Sequence, residues 1–128
     1  MPDAKITGHA PVLLVKDVLK AAQYYGEKLG FRAQEFFGEP VNFAILRRDG
    51  LALMLGQAED DGPIVPNWQR SHGLWNVYFW VDDVDAIYAE LQASGAIIDY
   101  TLGIKPYGVK EFGVQDLDGY DIAFGQIM

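Results

Sequence analysis

The chain has 128 residues, of which half are hydrophobic and 22% are charged, with a formal net charge of −8 and no cysteine. This composition is typical of a single globular domain that buries a core without covalent cross-links. The lack of cysteine excludes disulfides, thiolate metal sites and cysteine nucleophiles, and the acidic charge argues against nucleic acid as a partner.

The first stretch, MPDAKITGHAPVLLV, shows neither a charged leader before a long apolar run nor a segment of membrane-spanning length. We therefore expect a cytoplasmic protein that has no membrane partner. Its last residues predict a first strand, and Asp17 follows as a candidate N-cap. The apolar spacing over residues 18–29 predicts a helix, which Gly30 would end in a left-handed conformation.

Three more strands are predicted after this helix, at residues 31–37, 42–48 and 51–57. The dipeptide Asp49-Gly50 is typical of a tight hairpin turn and would join the last two of them. The segment that follows, residues 58–73, contains two prolines and two glycines and has no hydrophobic period. It is therefore interpreted as a linker.

The second half of the chain repeats the first. FAILRRDGLALMLGQ (43–57) aligns without a gap on FGVQDLDGYDIAFGQ (112–126), and PVLLVKDV (11–18) aligns on VYFWVDDV (77–84). A second helix would run from the N-cap Asp83 to Gly95, followed by strands at residues 96–101, 111–116 and 120–127.

The repeat predicts an α+β fold in a single domain spanning residues 1–128. Module one would cover about residues 6–57 and module two about residues 74–128, each with the element order βαβββ. The two modules would form a concave mixed sheet with the helices on its outer face.

The alternation of side chains along a strand assigns each predicted strand two faces. Leu51, Leu53 and Leu55 would pack under the helices, and their repeat partners are Tyr120, Ile122 and Phe124. The opposite face mixes small, aromatic and polar residues, which suits a ligand pocket, although a second core layer or a dimer interface fits each residue taken singly. The predicted ligand-binding residues are Val12, Leu14, Ala52, Met54, Asn76, Tyr78, Trp80, Phe112, Asp121 and Ala123.

Two motifs resemble those of a known family. VLLVKDVLKAAQYYGEKLGF is similar to an opening pattern V-x-D-x7-FY-x4-LGF, and YGVKEFGVQDLDGYDIAFGQ is similar to an ending pattern W/YG-x-x-EF-x-V-x-DPDGY-x-x-x-FGQ. Both patterns belong to the vicinal oxygen chelate superfamily, which includes glyoxalase I, bleomycin-resistance proteins and extradiol dioxygenases. The resemblance covers nearly the whole chain and implies the fold more strongly than it implies any one chemistry.

The resemblance also implies four positions for metal ligands, with His or Gln on the first strand of a module and Glu on its last. In this chain those positions hold Ala10, Met54, Asn76 and Ala123. Alanine cannot bind a metal, and the soft sulfur of methionine is unsuited to the divalent ions that such enzymes use. We therefore expect neither a metal nor another cofactor.

Two histidines are alternative metal ligands. His9 lies one residue from the first of these positions, and a one-residue step turns a strand side chain to the other face unless a bulge intervenes. His72 lies in the linker with no partner at ligand spacing. A site built from these two residues stays open but has no support from the pattern.

Three other features are ambiguous. Glu111 is either a pocket carboxylate or a structural partner of a backbone amide, and we favour the structural role. Asp121 could place a negative charge at the pocket rim. Lys105 and Tyr107 lie within the glycine-bearing stretch GIKPYG and Lys110 follows it, and this loop could act as a lid.

Two functions remain as hypotheses. The first is a metal-free protein of the bleomycin-resistance type that sequesters a cationic or aromatic, antibiotic-like compound, with Tyr78, Trp80 and either Trp75 or Phe112 stacking on it. The resemblance implies that such a protein is a homodimer with two grooves. The alternative is a metal-dependent lyase, isomerase or dioxygenase whose ligands the pattern does not identify.

Overall fold

The computed structural model describes residues 3–128, and its helices and strands repeat one order twice. The elements are β1 (Val12–Val15), α1 (Val18–Leu29), β2 (Ala33–Phe37), β3 (Phe43–Arg48), β4 (Leu51–Gln57), a 3₁₀ turn (Asn67–Gln69), β5 (Val77–Trp80), α2 (Val84–Ser94), β6 (Ile97–Ile104), β7 (Val109–Gln115) and β8 (Asp121–Ile127). The predicted α+β fold of two βαβββ modules is confirmed. In the described part of the chain, neither helix is long and apolar enough to cross a membrane.

Both helices begin and end where the sequence predicts. The Asp17 carboxylate accepts a hydrogen bond from the Lys20 backbone amide at 3.1 Å, and Asp83 caps α2 in the same way. These bonds satisfy amides that have no partner inside a helix. Gly30 and Gly95 end the helices at φ values of 79° and 85°, a region that favours glycine.

A glutamine at the end of each module gives its helix a second cap. Gln57 Oε1 accepts a hydrogen bond from the Val18 amide at 2.9 Å, and Gln126 Oε1 accepts one from the Val84 amide at 2.9 Å. The last strand of each module therefore holds the first turn of the helix in the same module. The repeated Gly-Gln ending of the two sequences has this structural basis.

The strands form two four-stranded mixed sheets, one in each module. Their orders are β1-β4-β3-β2 and β5-β8-β7-β6. The first and last strands of each module run parallel, with Val12 opposite Met54 in one sheet and Tyr78 opposite Ala123 in the other. The equivalent register is what a duplicated module requires.

One hydrophobic core spans both modules. Alternate residues of the strands, such as Leu53 and Leu55 in β4 and Ile122 in β8, are fully buried against the helices. Phe31 of the first module and Phe79 of the second meet with ring centroids 5.7 Å apart. Because both sheets turn their helix-bearing faces to this shared core, their opposite faces point away from it.

Polar contacts also join the modules. The Tyr25 hydroxyl of α1 donates a 2.6 Å hydrogen bond to Asp116 in the turn between β7 and β8. Arg48 of β3 donates to both carboxylate oxygens of Glu90 in α2, at 2.7 and 2.9 Å. Such a two-point contact fixes orientation as well as distance.

The buried Asp116 makes the module junction sensitive to pH. Burial raises the pKa of Asp116 to about 6, although the hydrogen bond from Tyr25 and those from backbone amides act in the opposite direction. The folded chain therefore holds a proton on Asp116 between about pH 4 and pH 6, where the unfolded chain has lost it. The stability that this proton contributes is lost as the pH rises through that window.

We expect Asp116→Asn to flatten the pH dependence of stability. Wild-type protein should gain up to about 3 kcal/mol of unfolding free energy from this group between pH 7 and pH 4, and the variant should lose that part of the gain. Urea denaturation at a series of pH values measures it. Tyr25→Phe is the matched control, because it removes one hydrogen bond to Asp116 but keeps the titrating group. Parallel curves for wild type and Asp116→Asn would contradict the assignment.

Candidate functional site

The open face of the second sheet carries an aromatic pocket. Four side chains line an open cavity of about 240 Å³: Trp75, Tyr78, Trp80 and Tyr107. The rings of Trp75 and Tyr78 have centroids 4.7 Å apart, and those of Tyr78 and Trp80 are equally close. Tyr78 and Trp80 point to this face because they alternate along β5 with the core residues Val77 and Phe79.

A buried carboxylate lies behind the pocket and is bound by three phenols. Glu111 is only 1% exposed. Its Oε1 accepts hydrogen bonds from Tyr78 at 2.9 Å and Tyr107 at 2.6 Å, and its Oε2 accepts one from Tyr100 at 2.6 Å. The two short distances are typical of hydroxyl donors to an ionised carboxylate. We call these four residues the Glu111 cluster.

Trp75, which lines the pocket, is hydrogen-bonded to this cluster. Its indole Nε1 donates to the hydroxyl of Tyr100 at 2.9 Å. The Tyr100 hydroxyl therefore accepts a hydrogen bond from Trp75 and donates one to Glu111. Chains of hydrogen bonds of this kind polarise one another and fix the side chains in one arrangement.

The phenols of the cluster stay protonated near neutral pH. Burial, and then the hydrogen bond to Glu111, raises the pKa of Tyr107 to about 12. The same two causes raise the pKa of Tyr78 and of Tyr100 well above the ordinary tyrosine value. Both carboxylate oxygens of Glu111 already accept phenol hydrogens. The arrangement positions aromatic rings and is poorly suited to proton transfer.

Two glycines make room for the tyrosines. A Cβ atom on Gly125 would lie 2.0 Å from the Tyr78 hydroxyl oxygen, and one on Gly113 would lie 2.2 Å from the Tyr100 ring. Neither distance is sterically allowed, so both tyrosines lie directly on glycine backbone. Gly56, the repeat partner of Gly125, has only the Phe43 ring near it, at an ordinary 3.9 Å.

The positions that the resemblance assigns to metal ligands hold side chains that are poor ligands for a divalent ion. Ala123 is fully buried on the open face of β8, between Tyr78 of β5 and Gly113 of β7. The Asn76 side-chain oxygen accepts a hydrogen bond from the Asn67 backbone amide at 3.0 Å. Asn76 therefore fixes the linker to the start of β5. Met54 lies in the other sheet, and Ala10 precedes β1. This donor set does not fit a divalent ion.

Other potential ligands are equally dispersed. Within residues 3–128, no three histidine, cysteine, aspartate or glutamate side chains lie close enough to hold a metal ion together. His9 and His72 are both exposed, the first before β1 and the second in the linker.

Four predicted binding residues lie on the first sheet, away from the aromatic pocket. Val12 and Leu14 are exposed on β1, while Ala52 and Met54 are half-buried on β4. The register of the strands places them on one apolar face. Within one chain the structure does not bring them together with Tyr78 and Trp80.

The prediction that Phe112 stacks on a ligand is wrong. Phe112 is fully buried on the helix side of β7 and stacks on Phe124 with centroids 5.2 Å apart. Tyr88 of α2 contacts it from the other side at 4.8 Å. The antiparallel register places Phe112 opposite Phe124, and side chains of directly paired residues share a face.

Asp121 is not the exposed rim residue that the sequence suggests. It is only 4% exposed, and its Oδ1 has no hydrogen-bond partner within residues 3–128. Burial, together with the nearby carboxylate of Asp99, raises the pKa of Asp121 to about 6. The group therefore carries a partial rather than a full negative charge just below neutral pH.

The sequence pattern does not identify Tyr100 and gives Tyr107 only a place in a loop. The pairing of β6 with β7 shifts register on both sides of Tyr100, so simple alternation does not assign its face. Tyr107 lies in a tight turn closed by a hydrogen bond from the Gly108 amide to the Lys105 carbonyl oxygen at 3.0 Å. The segment proposed as a lid is thus a hairpin tip that brings Tyr107 to Glu111.

The lysines of this hairpin have separate partners. Lys105 Nζ lies 4.7 Å from the centroid of the Tyr100 ring, which is the distance of a cation–π contact. Lys110 donates to Asp85 of α2 at 2.8 Å. Neither lysine side chain is among those that line the aromatic pocket.

A second cavity, of about 340 Å³, lies at the module junction and is lined in part by Phe31, Arg48 and Phe79. The Arg48 guanidinium there is already bound to Glu90 and to the Leu29 carbonyl oxygen. Its charge is therefore not free for a ligand, and the aromatic pocket is the better candidate site.

Comparisons with known proteins agree with this fold. Residues 7–124 match the model of the Glyoxalase/Bleomycin resistance protein/Dioxygenase superfamily. No curated protein matches the chain in sequence.

Three solved structures illustrate the likeness. TioX from Micromonospora sp. ML1 is 24% identical, with a TM-score of 0.75 over 95% of this chain and 99% of its own. The bleomycin-binding protein of bleomycin-producing Streptomyces verticillus, solved with copper(II)-bleomycin, is 25% identical, with a TM-score of 0.71 over 95% and 97%. A glyoxalase-related enzyme from Clostridium phytofermentans is 14% identical, with a TM-score of 0.75 over 98% of each chain.

We expect Gly125→Ala to disrupt the aromatic pocket, because the added methyl group would displace Tyr78 from Glu111. The unfolding free energy should fall by about 1–3 kcal/mol. An absorbance titration should also show one more tyrosine ionising near the ordinary pKa of about 10. Gly56→Ala is the matched control, since a Cβ on the equivalent glycine would make only an ordinary 3.9 Å contact with Phe43. Equal effects of the two substitutions would contradict the proposed packing.

Proposed function

The chain belongs to the glyoxalase/bleomycin resistance protein/dioxygenase superfamily, and from this premise we propose that it is a metal-free protein that binds a small cationic or aromatic compound. The observation that carries the proposal is the aromatic pocket that stands beside Ala123, where a metalloenzyme of this fold would need a carboxylate ligand. Aromatic walls with a few fixed polar groups are typical of small-molecule sites.

The chemistry of the pocket favours binding over catalysis. Glu111 is the carboxylate nearest the aromatic rings, and three phenol hydrogens already occupy it. The net charge of −8 would concentrate a cationic compound near the protein. Sequestration of an antibiotic-like compound is consistent with these features, and the relative solved with copper(II)-bleomycin supplies a first compound to test.

The alternative is a metal-dependent lyase, isomerase or dioxygenase. It requires at least three metal ligands in one place, and the described residues offer alanines, a methionine and an asparagine at the implied positions. No feature of the structure favours this alternative.

We further propose that the protein is a homodimer. The open face of the first sheet leaves apolar side chains such as Leu14 exposed, and Trp80 on the second sheet is 60% exposed. Exposed apolar faces of this kind usually mark interaction surfaces. A two-fold axis would set the first sheet of each chain over the aromatic pocket of its partner and so create two equivalent grooves.

We expect bleomycin to change the tryptophan fluorescence of the protein saturably, because Trp75 and Trp80 line the pocket. Trp80→Ala should weaken the affinity at least about tenfold, as is typical of a central aromatic contact. Trp68→Phe is the control, since Trp68 lies outside the pocket and donates to the Gly119 carbonyl oxygen. Unchanged affinity in Trp80→Ala would disprove this binding face.

The same preparation tests the metal-free assignment. Protein purified without a chelator should contain far less than one divalent ion per chain by elemental analysis. One tightly held ion per chain would instead support the metal-dependent alternative.

We expect Leu14→Glu to split the dimer, because a charge would then be buried in the interface. Light scattering should give a dimer mass for wild type and a monomer mass for the variant. Leu117→Glu is the matched control: Leu117 is 55% exposed, close to the 53% of Leu14, but lies in the turn between β7 and β8. A monomeric wild-type protein would contradict the proposal.

A further inference from the structure

We propose that the aromatic pocket selects ligands that carry an alkylated ammonium group, over those with a primary ammonium or guanidinium group. This inference rests on the proposed binding function and narrows its ligand class. It follows from how the Glu111 cluster presents its negative charge.

The charge of Glu111 reaches the pocket through tyrosine rings. Tyr78 and Tyr107 line the cavity, and both donate their hydroxyl hydrogen to Glu111. A phenol that donates to an anion gains electron density in its ring, because hydrogen-bonded groups polarise one another. The negative ring face then attracts a cation more strongly.

The protein already contains one example of this attraction. The ammonium group of Lys105 lies 4.7 Å from the centroid of the Tyr100 ring, the third phenol of the cluster. It is not paired with Glu111, whose Oε2 accepts the Tyr100 hydroxyl. This tethered primary ammonium contacts a ring face while the carboxylate stays out of reach, and because Lys105 is only half-buried, its N–H groups can keep hydrogen bonds to water.

The same arrangement disfavours ligand groups that carry N–H donors. Glu111 is 1% exposed and accepts three hydrogen bonds, so an ammonium hydrogen could reach it only by displacing a phenol. A primary ammonium or guanidinium group would give up strong hydrogen bonds to water without replacing them in full. A methylated ammonium group makes few or no hydrogen bonds to water, so it loses little when it enters the pocket. Its methyl groups fit against the rings of Trp75 and Trp80.

The size of the cavity agrees with a head group of this kind. At about 240 Å³ it is smaller than the roughly 300–1,000 Å³ of pockets that enclose a whole drug-sized ligand. It can take a methylated ammonium group, while the rest of the ligand lies along the open face of the sheet.

Three small probes of similar shape test the selection: choline, its uncharged carbon analogue 3,3-dimethylbutan-1-ol, and ethanolamine. We expect choline to change the tryptophan fluorescence saturably in the millimolar range, and each of the other two to bind at least about tenfold more weakly. If the carbon analogue or ethanolamine binds as well as choline, the proposal is overturned.

Variants locate the effect. Trp80→Leu should abolish choline binding, whereas Trp80→Phe, which keeps a ring, should retain most of it. Glu111→Gln should weaken the affinity for choline at least about fivefold and leave the affinity for the carbon analogue unchanged. Only the cation is attracted by the negative charge on the ring faces. Full choline affinity in Trp80→Leu would overturn the proposal even if Glu111→Gln does not fold.

Bleomycin, titrated in parallel, separates this inference from the function on which it rests. Binding of bleomycin without binding of choline would overturn the ammonium assignment and leave the binding function intact. Absence of binding by either compound would count against both proposals.

Discussion

A carboxylate buried in a small domain must be surrounded by hydrogen-bond donors, since an unpaired buried charge destabilises the fold by more than such a domain can offset. Glu111 finds three donors in phenols from β5, β6 and the hairpin tip between β6 and β7. Each phenol brings its ring to a defined place, and Trp75 is fixed through Tyr100. The geometry of the aromatic pocket is therefore a consequence of satisfying one charge.

The two modules show which parts of a duplicated unit carry the fold and which carry the site. The helix caps at Asp17 and Asp83 are equivalent in geometry, and so are the second caps from Gln57 and Gln126. These contacts act within a module and are needed in both. The open faces differ: the first sheet carries aliphatic residues with Phe37 and Phe43, whereas the second carries the tyrosines and tryptophans of the aromatic pocket. Gly125, which precedes Gln126, packs directly against Tyr78, whereas its equivalent Gly56 in the first module packs against no tyrosine.

Most of the fold could be predicted from the sequence, because its signals are local. Capping residues, hydrophobic periods and the Asp-Gly turn at Asp49 act over a few positions and placed both helices and most strand ends. Alternation along β5 also placed Tyr78 and Trp80 on the open face. The repeat supplied the module order and so the pairing of first and last strands.

The rest of the site depends on contacts between distant segments. The aromatic character of Phe112 suggests a place in the pocket, whereas its register opposite Phe124 turns it to the core. The partners of Glu111 come from three separate elements, and the register shifts of β6 hide the face of Tyr100. No local pattern marks the burial of Asp121 either. The sequence alone therefore predicted a pocket face but not the cluster that organises it.

The packing around Ala123 also limits how the chain can change over evolutionary time. A glutamate at this position would restore one implied metal ligand, but its side chain would enter the space between Tyr78 and the Tyr100 that lies on Gly113. Those tyrosines could give way only by leaving Glu111 unpaired. A glutamate at position 123 would thus require compensating replacements around Tyr78 and Tyr100 as well, so this position cannot change independently of its neighbours.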